Sequence, residues 1–425
     1  MKGDFARDAA YMIKCIEVAH PIFIVDGMLP ENYSAVRDEF LEYAQGEISR
    51  QDFVFAAHKY VAVLKDGHMS TWFTERHYDG KLWGVRFSDF LDVGWKVSLA
   101  GQLILDDGPE VKYIGGAAVA DVFALIDKYF YPENDVDRQR NYEMYARYGT
   151  LIEMAGGEVV NKRVELTLDT GMLMAELSID DLQKVNTYKK HDYIIRHEMM
   201  GDMFYIDLRS FTVGPHITRV ANEIKKAVSG GTRKFIVDLR GNSGGNSDAG
   251  SELLAAMGIT GGSRYGRLQR YSKLLGKGFW KMGYIKFGLI YFVTRRFMML
   301  KYPMGQLTAP SIDTKNPNNV YISVLTDALT YSSATMMGVW VQDGKLGNIV
   351  GSPSRNAVSS FGDMGAFITL PRSKIGFMLS SVRFLRPDGD ADPNMLRPNI
   401  VTSSADALEA ALKHLQRIQG LMQGH

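Results

Sequence analysis

Two glycine- and serine-rich loops constrain this chain most, because each follows a short apolar run and leads into a helical pattern. The runs are Phe235-Ile236-Val237-Asp238-Leu239 and Val320-Tyr321-Ile322-Ser323-Val324-Leu325. Both lack polar alternation, so each reads as a strand buried on two faces. Around them, residues 204–208 and 347–351 read as strands, and residues 217–228, 251–257 and 333–341 as helices. Strand and helix alternating at this rhythm predict a layered α/β core with short crossovers, closed by a helix over 405–419.

The first half has a different texture. Met12, Cys15 and Ile16 suggest one helix, Tyr33, Val36, Phe40 and Tyr43 a second, and Phe53, Ala56, Tyr60 and Val63 a third. Gly67 is expected to close that third helix, with an extended stretch following from Met69 to Phe73. From about 76 to 192, short alternating stretches such as 97–99, 102–105, 111–114 and 164–168 are separated by Gly and Asp, as in hairpins. One helix, 119–131, interrupts them. The expected organisation is a helical unit at 1–75, a β-rich module at 76–192 and an α/β core at 193–425.

Composition limits the function classes. Lys and Arg number 49 against 48 Asp and Glu, so no chain-wide field attracts nucleic acid. The single cysteine, Cys15, cannot form an internal disulfide or a cysteine-based metal site. His197-Glu198 begins H-E-x-x-H, but Gly201 stands where the second histidine belongs. His20-Pro21 reads as a helix end, and His58 and His77 suggest no partner. No metal or other cofactor is expected. No apolar run approaches the ~18 residues of a membrane span. The opening residues do not read as a signal peptide; the sequence leaves the location open, exported or cell-envelope if a leader has been removed and otherwise cytoplasmic.

The loop Asp238-Leu239-Arg240-Gly241-Asn242-Ser243-Gly244-Gly245-Asn246 carries glycines that let backbone N–H groups approach a bound group. It lacks a phosphate-binding frame. It does satisfy G-x-S-x-G, which offers Ser243 as a nucleophile, or it is a plain tight turn. The second loop ends Thr330-Tyr331-Ser332-Ser333-Ala334. A hydroxyl there lies at a helix N-terminus, which favours a developing negative charge, although serine is also a common N-cap.

Together the motifs D-L-R-x-N-x-G-G, T-x-S-S-A, V-G-x-P and R-P-D resemble those of the carboxy-terminal processing (tail-specific) serine peptidases, in particular their tricorn-like branch. The resemblance implies a crotonase-like spiral α/β catalytic core, with the middle module a reduced PDZ-like domain. It implies Ser332 as nucleophile, and an oxyanion hole from the N–H groups of Ser333 and Gly244, with Gly245 second. Many members carry a lysine base in a G-K-G segment about two dozen residues beyond the serine. Here Ser354-Arg355-Asn356-Ala357 stands in that place, and arginine cannot act as a base near neutrality. The tricorn-like branch implies instead His68 as base, oriented by a late acid: Asp388 by motif, with Asp390 and Asp392 as alternatives. Gly67 departs from the serine that the branch can carry before its histidine.

The implied activity is a serine endopeptidase of the tail-specific type, hydrolysing exposed or C-terminal polypeptide segments. The alternative is an inactive peptide- or apolar-ligand-binding protein on the same scaffold. Residues 264–301 stand apart, with ten bases, no acid and interleaved aromatics. Such a segment reads as a lid over the site or as a peripheral membrane contact. A polypeptide is the expected partner, and an oligomer is compatible with the sequence.

Overall fold

The computed structural model describes every residue except 1, 4, 26, 71–72, 77–81, 85–89, 99, 107, 179–192, 276–284 and 423–425. His77, Leu99 and five members of the basic segment (Lys277, Phe279, Trp280, Lys281 and Tyr284) therefore lie outside the described residues. The chain forms two compact units, not the three segments expected. One comprises 1–185, 268–307 and 361–383; the other comprises 186–267, 308–360 and 384–425. The basic segment from Leu268 onward and one hairpin of the expected core belong with the N-terminal unit.

In the first unit the three expected helices are Ala6–Ala19, Tyr33–Gln45 and Arg50–Ala62. Ser49 and Asp52 form a reciprocal capping box that starts the third. Phe40 stacks on Phe53 and Tyr60, joining the second and third helices through a fully buried aromatic cluster. Gly67 does not close the third helix. That helix ends at Ala62, Lys65 turns the chain with a φ of 54°, and Gly67–Ser70 is a separate helical turn. The Asp66 carboxylate accepts the Met69 N–H at 3.1 Å, which is why the backbone coils there instead of extending.

The β-rich part of this unit is an antiparallel sheet. Its strands run in the order Phe90–Leu91, Gly171–Ser178, Arg163–Leu168, Glu110–Ile114, Leu103–Leu105 and Trp95–Val97. Val111, Ile114, Val164 and Leu166 point into the core while their neighbours face out. The expected helix is Val119–Tyr129; Asp135–Tyr145 and Gly149–Met154 follow it. Asp135–Tyr145 escaped notice because seven of its eleven residues are charged or amide side chains, which leaves no apolar stripe. A second antiparallel sheet pairs Phe361–Thr369 with Ile375–Leu385, and that strand with Phe73–Arg76.

The second unit holds the expected alternation. Its sheet runs Ile195–Met200, Met203–Leu208, Lys234–Asp238, Tyr321–Thr326, Gly347–Gly351 and Ile400–Val401. The first pair is antiparallel and the remaining pairs are parallel. Helices Pro215–Ser229, Asp248–Ala256 and Ser333–Asp343 contribute to one core with Phe235, Val237, Ile322 and Val324. Helix Ala407–Met422 packs Ala407, Ala411 and Leu415 with Ile236, Leu325 and Val350. Successive residues of one strand thus feed opposite layers, which explains why these strands read as unbroken apolar runs.

His58 lies buried against Phe130 in the first unit, and burial pushes its imidazole down to about 3. A depressed folded-state value means the unfolded chain binds the extra proton first. Stability from this site is therefore complete above the ordinary histidine range and lost as pH falls below about 6.5 toward 3. His58→Leu should flatten the fall in unfolding free energy over that range by up to about 1.4 kcal/mol per pH unit. Urea titrations from pH 7 to pH 4 measure this; parallel curves for both proteins would contradict it.

Candidate active site

In parallel sheets, loops at the carboxyl ends of adjacent strands meet, and ligands bind there. Strand Lys234–Asp238 releases the first glycine loop, and its neighbour Tyr321–Thr326 releases the serine loop. The Asp238 carboxylate is fully buried at the root of the first loop. It accepts bonds from the Arg240 backbone and guanidinium, the Arg209 guanidinium and the Tyr205 hydroxyl. Burial by itself would raise this carboxyl, but the hydrogen bonds and charges of Arg240 and Arg209 hold it below its usual range. The D-L-R motif is thus a structural clamp.

The two loops are laced together. Gly241 N–H donates to Asp327 Oδ1 at 3.0 Å, and the Thr330 hydroxyl donates to the Leu239 carbonyl at 2.9 Å. Tyr331 N–H donates to the Asn242 carbonyl at 3.0 Å, and the Ser333 hydroxyl to the Gly245 carbonyl at 2.6 Å. Between these ties sits Ser332, half-buried at the start of helix Ser333–Asp343, with φ 55° and ψ −124°. A side-chain-bearing residue in that region carries about 1–3 kcal/mol of strain and persists only when its surroundings enforce it. Asn356 supplies one enforcing contact, its Oδ1 accepting the Ser332 N–H at 2.7 Å.

A strained serine opening a helix after a strand is the geometry of a nucleophile elbow. The G-x-S-x-G match pointed to Ser243, but Ser243 is exposed and the next helix begins only at Asp248. Arg355 lies with its guanidinium 4.6 Å from the Tyr331 ring, so the segment replacing the lysine motif does reach the serine loop. Asn356 was not singled out from sequence; its distance of 24 residues from Ser332 concealed the contact.

Of the expected oxyanion donors, Ser333 is the first residue of its helix, so its N–H has no acceptor within the helix. Gly244 N–H donates to Asn242 Oδ1 at 2.8 Å. Among the described hydrogen bonds none uses the Gly245 N–H as donor. Gly244 has φ 94°, and a Cβ there would lie 2.8 Å from Ser332 Cβ and 2.9 Å from Ser333 N. Only glycine lets the two loops approach this closely.

His68 belongs to the other unit. Its turn is positioned by a chain of contacts: His20 Nδ1 accepts the Ile22 N–H at 3.2 Å, which leaves Nε2–H to donate to Asp66 Oδ2 at 2.9 Å. Asp66 in turn caps the turn through Met69. Burial opposes ionisation of Asp66, yet the hydrogen bond from His20 and the electrostatic influence of the His20 and His68 imidazoles keep its carboxyl below the usual range. The carboxylate beside His68 is Glu133, whose Oε1 lies 3.4 Å from Nδ1, and both side chains are buried. A Cβ at Gly67 would lie 2.6 Å from Glu133 Oε1, so glycine before the histidine makes room for that acid.

Glu133 is an acid that the sequence did not single out. Asp388 receives the Asp390 N–H on its own carboxylate and donates its N–H to Asp343; Asp392 pairs with Arg397 at 3.0 Å. These are local ties of a turn. Among the described residues, Asp66, His68 and Glu133 are also the group whose donor atoms, all within 4.8 Å of one another, could hold a metal ion. His197 lies on the edge strand, stacked on Phe204.

The profile of peptidase family S41 matches residues 202–401, which include both loops, Ser332 and Asn356. Over these residues, just under half of its length, the chain is similar to peptidase family S41. The fold is similar to that of mature CPAF complexed with lactacystin, at 14% identity over 99% of this chain and 98% of that one, with a TM-score of 0.63. It is likewise similar to the CPAF S499A mutant, at 13% identity over 98% and 96%, with a TM-score of 0.61. No curated protein matches the chain in sequence.

Gly244→Ala should force the loops apart and lower the rate of Ser332 phosphonylation by about two orders of magnitude, since misplacement near 1 Å has that effect on reactions of positioned groups. Gly241→Ala is the control: its φ is also positive, at 72°, but a Cβ there meets nothing within 4 Å. It should cost about 1–2 kcal/mol of stability and leave labelling near the original rate. Equal labelling losses in both variants would show that backbone strain, not loop separation, governs the site.

Proposed function

We propose that this chain is a serine endopeptidase of the tail-specific type, cleaving exposed or C-terminal polypeptide segments. The observation that carries the reading is Ser332, held in a strained conformation at a helix start by a second loop built around a double glycine. Ser332 attacks the scissile carbonyl, His68 takes the serine proton and returns it to the leaving amine, and water then releases the acyl group. Glu133, in place of Asp388, orients His68 and stabilises the imidazolium. The oxyanion is held by the Ser333 N–H and by the double glycine. Gly245 fits that second role better than Gly244, whose N–H is bound to Asn242.

The crotonase-like assignment of the second unit goes with this proposal, supported by its parallel sheet and flanking helices. A PDZ-like role for the sheet between Phe90 and Ser178 would supply a site for the substrate tail; antiparallel strands with Val119–Tyr129 packed among them support it. Arg355 in place of the lysine favours the second reading, an inactive binding protein.

A fluorophosphonate probe separates these readings. The chain should be labelled, Ser332→Ala should not be, and His68→Ala should lower peptide turnover by about two to four orders of magnitude. An unlabelled parent chain would support the binding protein. Glu133→Gln removes the charge facing the imidazole while keeping its shape, so the acid limb of the kcat/KM profile should move to lower pH. If Asp388→Asn moves the limb and Glu133→Gln does not, the late aspartate is the orienting acid.

A further inference from the structure

The helix Ile285–Lys301 is built the wrong way round for a surface helix of a water-soluble protein. Its inner side is fixed by Tyr291, whose hydroxyl donates to the Ser272 carbonyl at 2.7 Å and accepts the Ser272 N–H at 3.0 Å. Its outer side is apolar. Leu289, Ile290, Val293, Phe297 and Leu300 are 56% to 75% exposed. At the helical repeat they share one arc of about 100°. Arg296 lies at one border of that arc and Lys301 at the other. Arg295 stacks over the Phe292 ring at 4.1 Å, and the Lys301 ammonium lies 5.7 Å from the Phe297 ring.

From this arrangement we infer that Ile285–Lys301 is a membrane-surface helix that seats its apolar face in an anionic bilayer. Five large apolar side chains exposed together on one face call for a cover. Charge identifies it: residues 264–301 carry ten bases and no acid, which leaves the rest of the chain acidic on balance. A second copy placed face to face would bring two such basic segments together, at an electrostatic cost. Anionic headgroups complement them, while the long stems of Arg296 and Lys301 let their charges stay at headgroup level as the ring and aliphatic side chains enter the acyl boundary. Among the described residues no helix is long and apolar enough to cross a membrane, so the helix lies along the surface. Held this way, the peptidase unit would work on segments close to a bilayer.

The test needs no peptidase activity, so it fails or succeeds independently of the role given to Ser332. The full chain is floated with vesicles of phosphatidylcholine and phosphatidylserine, and with phosphatidylcholine alone. Binding should favour the anionic vesicles and weaken with salt. Val293→Glu with Phe297→Glu should lower the fraction bound at least about tenfold, and Arg296→Glu with Lys301→Glu should remove the preference for phosphatidylserine. All four positions are exposed; circular dichroism and the thermal midpoint verify that the variants fold. The inference is overturned if the original chain does not float with anionic vesicles, or if the Val293/Phe297 variant floats equally well. It is also overturned if light scattering shows a dimer that this variant dissolves while vesicle binding is absent.

Discussion

Ser332 keeps a backbone conformation that its side chain disfavours, and the second unit is organised around holding it there. The strain of about 1–3 kcal/mol is met by several ordinary hydrogen bonds, each contributing about 1 kcal/mol. Asn356 accepts from Ser332 itself, Asn242 accepts from Tyr331 just before it, and Gly245 accepts from Ser333 just after it. These contacts require the two loops to leave neighbouring parallel strands at the same end of the sheet. They also require Asp238, buried and matched by two arginines, to fix where the first loop begins.

The histidine of the first unit depends on a comparable device in a different material. No sheet presents His68; a single helical turn does, and one turn has little stability of its own. The turn is imposed by Asp66, which is itself held by His20 from the end of the first helix. A neighbour in sequence, Asp66, and a remote residue, His20, thus together fix one imidazole. Gly67 then leaves space for Glu133, so the departure from the serine of the tricorn-like motif and the presence of an acid beside the histidine are two sides of one packing arrangement.

Much of the second unit was legible in the sequence because its strands and helices announce themselves by local period: buried runs of β-branched and aromatic residues, then apolar residues at helical spacing. The two loops were legible for the same reason, since they are punctuation between those runs. Polar partners have no period. Asn356 lies 24 residues from the serine it supports, and Glu133 lies 65 residues from His68, in a loop whose sequence signals only a helix cap. The helix Asp135–Tyr145 was missed for a related reason, being mostly polar on all sides.

By itself, then, the amino-acid order determined the alternation of elements, the two glycine-serine loops, the exclusion of an internal disulfide and the concentration of bases in 264–301. Tertiary structure decided which serine is strained, which carboxylate faces His68, that Gly244 N–H is already bound, and that the basic helix turns its apolar face outward. The division follows the range of the forces. Backbone period and composition are properties of neighbours in sequence. Strain, desolvation and hydrogen-bond partnership arise only when segments remote in the chain are brought within a few ångströms of one another.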